Sequence, residues 1–284
     1  MDCPLLVWML SLNREVTLDE YNQCFELVRT CAPHAKIKHD PNNSDTFRQL
    51  VSQMMPLLMM RHRRVPRAKW KDNATPLGKH WIEQDAEGMH PDRWLRSMIG
   101  YSLTYETSLV GMAMVQGRQR DVINVGIGIK QLAVEPPGVT VRAYAESLSH
   151  KLTQLELSFI SPDLTDEVIL RRLCILLAVK QAYIRAIGQP IGFDWSRLEF
   201  NIPEESAMGD GTPLQGWEFR VFKANLGIVR KGVLLEESHQ CVSAFFRGTR
   251  ESKFIWHDNT KDLESWVQFI NIDQMIKVIP KLTA

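Results

Sequence analysis

The 284-residue sequence has five cysteines, Cys3, Cys24, Cys31, Cys174 and Cys241, an odd number with no C-x-x-C pair. That scatter argues against a disulfide framework or a cysteine-built zinc site, and reduced thiols are expected. The eight histidines lack metal spacing too: there is no H-E-x-x-H, and His34 and His39 stand five apart rather than four. G-x-S-x-G, G-x-x-x-x-G-K-[ST] and G-x-G-x-x-G are missing, so the common hydrolase, nucleotide and dinucleotide signatures lend no support. Charge of one sign is missing as well, with 34 Lys and Arg against 33 Asp and Glu for a formal +1. Such a balance provides no global field to grip nucleic acid or an anionic membrane. The longest apolar run, Leu173 to Val179, is far below the roughly 20 residues of a bilayer span. Met1 to Ser11 carries an acid and no basic n-region, so a cytosolic (cytoplasmic) protein is expected.

What is present is an ordinary globular composition, 44% hydrophobic and 24% charged, enough for one large domain or two small ones. Residues 17–31 and 44–60 space apolar residues three and four apart behind Thr or Ser, which predicts two capped amphipathic helices, the second with Pro56 as a possible kink point. Ser108–Val115 and Val122–Ile129 read as strands of a hairpin split by the GRQRD turn, and Asn73–Gly78 as a turn. Residues 142–160 read as helix. Residues 165–187 read as a long buried helix capped by Thr165 and stopped by Gly188 and Pro190. Leu198–Ile202, Trp217–Asn225 and Gln240–Phe246 alternate apolar with polar, as strands of a half-buried antiparallel sheet do. The expected division is 1–120, 121–250 and a tail, 251–284, with one or two short helices and no chemistry of its own.

The basic run Arg61, His62, Arg63, Arg64, Arg67, Lys69 and Lys71 has two readings: a solvated loop, or a cradle for phosphate or an acidic protein. Trp70 alone is interleaved, a poor pattern for nucleic acid. Twelve methionines, including Met54, Met55, Met59, Met60, Met112 and Met114, suit adaptable core filling, and would equally suit a greasy ligand cleft.

The segment Leu177-Ala178-Val179-Lys180-Gln181-Ala182-Tyr183-Ile184-Arg185 resembles the W-x-x-K-E-A-x-x-K signature of the 4′-phosphopantetheinyl transferases, particularly the long fungal type. Other landmarks follow the family's order. Gly78-Lys79-His80 stands at G-K-P, Ser102-Leu103-Thr104-Tyr105 at N-[IV]-S-H, Gly126-Ile127-Gly128-Ile129-Lys130 at G-I-D-[IV]-E, and Leu152-Thr153 with Glu156 at F-S-x-x-E. The resemblance implies an α+β fold, a pseudo-dimer of two similar α/β subdomains with antiparallel sheets that clasp coenzyme A between them. It also implies transfer of the phosphopantetheine arm to a carrier-protein serine, a phosphoryl-type transfer whose leaving phosphate gathers charge that magnesium neutralises. The hard cation takes oxygen ligands, an Asp, a Glu two residues on and the K-E-A Glu.

All three acids are replaced here, by Gly128, Lys130 and Gln181, which changes the formal charge from −3 to +1. A Lys130 ammonium 4 Å from Mg²⁺ would repel it by about 8 kcal/mol at an effective dielectric near 20. The motif's serine-histidine pair is Thr104-Tyr105, and a phenol is no phosphate-binding cation. Lys79, Lys180, Glu156 and Arg185, the last in place of lysine, survive. On the resemblance, Glu156 is the general base position and Lys79, Gly126 and Arg185 the cofactor contacts. Lys180, Glu156, Lys130, Gln181 and Tyr105 are the candidate catalytic set, with Lys130 expected to fill the lost ion's place and pair with Glu156. Three functions are compatible with these changes. One is a divergent transferase using coenzyme A and magnesium. Another is a scaffold repurposed for a metal-independent cyclisation or isomerisation of a small apolar metabolite in natural-product biosynthesis, with no cofactor required. The last is a non-catalytic module that binds a carrier protein. Neither nucleic acid nor membrane is expected as a partner.

Overall fold

The computed structural model describes residues 4–190 and 192–283, so Cys3 and the start of the Met1–Ser11 segment lie outside the described residues. Strand β1 (Leu5–Ser11) leads into helices α1 (Leu18–Cys31) and α2 (Ser44–His62), the hairpin of β2 (Trp70–Ala74) and β3 (His80–Gln84), and a short α3 (Pro91–Leu95). Strands β4 (Met98–Glu106) and β5 (Leu109–Gly117) follow, then one helical turn, α4 (Gln119–Val122), and β6 (Val125–Gln131). Helices α5 (Val141–Ser147), α6 (Gln154–Ser158) and α7 (Asp166–Ile187) precede the small sheet of β7 (Leu198–Asn201), β8 (Ser206–Gly209) and β9 (Thr212–Pro213). The chain finishes with the long hairpin β10 (Trp217–Arg230) and β11 (Val233–Phe246), then β12 (Lys253–His257), α8 (Thr260–Leu263), β13 (Val267–Asn271) and α9 (Ile272–Val278).

Two sheets dominate this α+β fold, ordered β13-β1-β5-β4-β3-β2 and β12-β10-β11-β6. Pairing within both is mostly antiparallel, and β13 on β1 and β12 on β10 are the parallel exceptions. Period-two alternation divides β1 between two cores. Trp8 and Leu10 pack toward α1 and α2, whereas Leu5, Val7 and Met9 face the second sheet. Ile127 and Ile129 of β6 and Phe222 and Ala224 of β10 meet them there. On the far side of the second sheet, Phe219, Val221 and Val242 pack under Leu173, Leu176 and Ala182 of α7. The order of layers is therefore helices, sheet, sheet, helix.

Local chemistry sets the helix ends. Thr17 and Glu20 form a reciprocal capping box at the start of α1, and Asn43, rather than Ser44, caps α2, which continues through Pro56. Thr165 stands at the N-cap position of α7, but its side chain makes no capping bond, contrary to the expected cap; the helix ends at Gly188, whose φ of +68° is the left-handed stop that glycine adopts without strain. The methionines at 54, 55, 59, 60, 112 and 114 are all buried in the core under α1 and α2. Among the described residues, Cys24, Cys31, Cys174 and Cys241 are buried free thiols, and no helix is long and apolar enough to cross a membrane.

Several expectations are corrected. The 108–115 and 122–129 runs are not a hairpin: β5 pairs with β4 and β1, whereas β6 pairs with β11 in the other sheet. The GRQRD segment coils into α4, which carries the chain from one sheet to the next, and the true reversal is the tight turn at Thr107-Ser108. Residues 142–160 are two short helices, because Thr153 and Glu156 build a second capping box that starts a new one. Asn73 belongs to β2, so the expected 73–78 turn begins later. The tail holds two strands besides its helices, one in each large sheet. The basic run is used locally: the Arg67 guanidinium donates to the Cys31 and Trp70 carbonyls and stacks 4.2 Å over the Trp70 ring, while Lys69 pairs with Asp85 and Glu87.

Candidate functional site

Strand β6 and helix α7 carry the ordered motifs, and they touch backbone to backbone. A Cβ added at Gly126 would lie 1.9 Å from the Ala182 carbonyl oxygen, and one at Gly128 2.0 Å from that of Ala178. No side chain fits at either position while the helix sits there. Gln181 faces the same strand, and its Oε1 accepts the Ile129 backbone N–H at 2.9 Å. Lys130, one pleat further, donates to Glu106 of β4, with Nζ 3.1 Å from Oε2 and 3.3 Å from Oε1.

The expected Lys130–Glu156 pair does not form. Glu156 lies in the core beneath α7, where Lys180 meets its Oε2 at 2.6 Å with both side chains fully buried. The carboxylate also accepts the backbone N–H of Thr153 at 2.8 Å and of Phe200 at 2.9 Å. Lys180 gives its other protons to the carbonyls of Lys151 at 2.8 Å and Trp195 at 3.0 Å. Every donor of the ammonium is therefore taken. Burial raises the Glu156 pKa and lowers that of Lys180, each opposed by its partner's charge. The pair ties α6 and β7 to α7 and is closed to solvent.

Magnesium held by positions 128, 130 and 181 does not fit these residues. Gly128 offers no side-chain oxygen and its Cβ volume is taken by the Ala178 carbonyl. Lys130 brings a cation, and the Gln181 oxygen is already hydrogen-bonded.

Three other predicted residues meet elsewhere. Lys79, Tyr105 and Arg185 line one cavity of about 380 Å³ between α2, β4 and the C-terminal end of α7. The Lys79 Nζ donates to Asn124 Oδ1 at 2.7 Å, and burial pulls its pKa below the usual lysine value. Arg185 donates to the Leu103 carbonyl at 2.9 Å and is otherwise exposed to the cavity. The Tyr105 hydroxyl donates to Asp45 Oδ2 at 3.4 Å, and its pKa is raised, chiefly by burial. Gln49, Ser52 and Gln53 of α2 and Thr104 of β4 complete a polar wall. The structure thus sorts the eight candidates into three places: the cavity, the buried Lys180–Glu156 pair, and the β6–α7 contact with Gly126, Lys130 and Gln181. Glu106, which the sequence offers beside Tyr105 either as an ordinary strand residue or as a carboxylate facing the cleft, is the partner of Lys130, whereas motif reading passed over Asp72 and Tyr101 beside His80. Alternation assigns each of them a face of its own strand, and only the pairing of β2, β3 and β4 brings them together.

No family model matches the chain. A curated relative, the 4′-phosphopantetheinyl transferase pptA of Paxillus involutus, is 29% identical over 197 residues, 68% of this chain and 72% of that protein. That likeness covers most of both chains, the motifs occur in family order, and the fold is α+β, so the chain is similar to the 4′-phosphopantetheinyl transferases over most of its length.

Proposed function

We propose that this chain uses the transferase shell to hold a phosphate-bearing ligand of the coenzyme A type, and acts without magnesium at positions 128, 130 and 181. The observation that carries the proposal is the Ala178 carbonyl, which stands where any side chain at Gly128 would have to be. Lys79 and Arg185 in the one cavity supply the positive charge that a phosphorylated ligand needs. The polar wall favours such a ligand over a small apolar metabolite. The reaction class we favour is a metal-free cyclisation or isomerisation in natural-product biosynthesis, accelerated by positioning and by neutral donors such as Tyr105. With Glu156 enclosed, such chemistry would draw on the cavity residues. A carrier protein is the proposed protein partner, by likeness to transferases.

The relative's activity favours a second reading, a working transferase. One experiment separates the two. The protein is incubated with coenzyme A, Mg²⁺ and an apo carrier domain, beside a control transferase, and the carrier is weighed by mass spectrometry. No gain is expected, while calorimetry shows coenzyme A binding with an affinity indifferent to Mg²⁺. A carrier heavier by one phosphopantetheine arm would establish the transferase instead. Carrier binding with no conversion of any bound ligand would favour a non-catalytic module.

A further inference from the structure

The cavity wall holds a cluster that the motifs do not reach. Strand β3 runs between β2 and β4, which brings His80 beside Asp72 and Tyr101. Tyr101 donates its hydroxyl to Asp72 Oδ2 at 2.6 Å, and burial together with that carboxylate holds the phenol well above its usual pKa. It therefore stays a donor and Asp72 the acceptor. His34 Nε2 stands 3.4 Å from the same oxygen. The other oxygen, Oδ1, is buried without a hydrogen-bond partner and lies 3.6 Å from His80 Nδ1. Thr104 Oγ1, in the wall of the same cavity, is likewise buried and unpartnered. Buried polar atoms are seldom left without partners, and the Thr104 hydroxyl marks a place in the cavity wall where a ligand or ordered water completes the structure, with the Asp72 oxygen just behind His80 and Tyr101.

His80 lines that cavity beside Lys79 and across from Arg185. His80 Nδ1 stands 3.3 Å from the Tyr101 hydroxyl oxygen, and an Nδ1–H donating there, with the Asp72 carboxylate behind it, fixes the ring and leaves Nε2 for the cavity.

We propose that His80, braced by Tyr101 and the Asp72 carboxylate behind it, directly contacts a phosphate group of the cleft ligand, taking over from the motif histidine that this chain replaces with Tyr105. The inference rests on the reading of the cavity as a phosphate-binding cleft. Coenzyme A is titrated calorimetrically into the wild type, His80→Ala and Asp72→Asn, and the His80 ring resonances, assigned by their loss in His80→Gln, are followed by NMR. A weakening of about tenfold in His80→Ala, a smaller one in Asp72→Asn, and wild-type ring resonances that move with coenzyme A are expected. Equal affinities with unmoved ring resonances would overturn the role of His80 and leave the cleft reading intact. A wild type that binds no coenzyme A would overturn both. If His80→Ala melts early, His80→Gln carries the affinity comparison.

Discussion

Lys180 is the clearest case of a motif residue whose neighbours decide its part. Sequence marks it as a surviving signature lysine, but its ammonium is enclosed by Glu156 and two carbonyls. Removing one member of a buried pair leaves the other charge stranded, so Lys180→Met should lose about 3–5 kcal/mol in urea unfolding. A variant as stable as the parent would refute the sealed-pair account. A second residue-scale prediction concerns His239, fully buried on β11, with its Nε2 3.0 Å from the Thr107 hydroxyl. Burial depresses its pKa from 6.5 to about 4. The unfolded chain therefore takes up a proton between pH 6.5 and about 4 while the folded chain does not. Stability contributed at neutral pH, roughly 3 kcal/mol, drains away as pH falls through that window. Urea midpoints at pH 7 and pH 5 should converge in His239→Gln relative to the wild type; an unchanged pH dependence would contradict the assignment.

At the scale of elements, the contact of β6 with α7 governs the metal question. Gly126 and Gly128 point at the helix, which approaches to backbone distance because neither carries a side chain. Gly128→Ala should lower stability by about 3 kcal/mol, toward the upper end of overpacking costs. Restoring acids with Gly128→Asp, Lys130→Glu and Gln181→Glu should accordingly give a protein that Mg²⁺ does not stabilise in a thermal melt. A melting temperature that climbs with Mg²⁺ would show that the helix yields and the site reforms. Much of α7 was legible in advance, from its apolar stripe and the Gly188 stop. The β5–β6 pairing was misread because alternation identifies a strand but not its partner, and the short polar GRQRD segment looks the same as a hairpin turn or as the helical step α4.

The whole molecule is joined through the apolar layer between its sheets, where Val7, Met9, Ile127, Ile129 and Phe222 are all buried together. Strand β13 adds to the first sheet from the far end of the chain, and Trp266 and Val267 enter the same layer. Heating should therefore give one calorimetric transition. Ile127→Ala should shift that whole transition downward, by about 2–5 kcal/mol of stability, rather than splitting it. Two separated transitions would mean that the sheets fold independently. The candidate site has the same dependence on assembly: Lys79 comes from a turn in the first half and Arg185 from the end of α7, and the cavity exists only where they meet.

Residue type and local spacing settled on their own that the α1 and α7 segments coil, where α1 begins and α7 ends, and that the family's acidic triad is absent from 128, 130 and 181. These follow from side-chain period, capping chemistry and the identity of each residue, which act over a few positions. Which charges pair was decided only in three dimensions. Lys130 turned to Glu106 because β4 and β6 lie near one another, and Glu156 was already held by Lys180 and two backbone amides. Ion pairing depends on distance and burial, and both are properties of the packed sheets rather than of the order of residues along the chain.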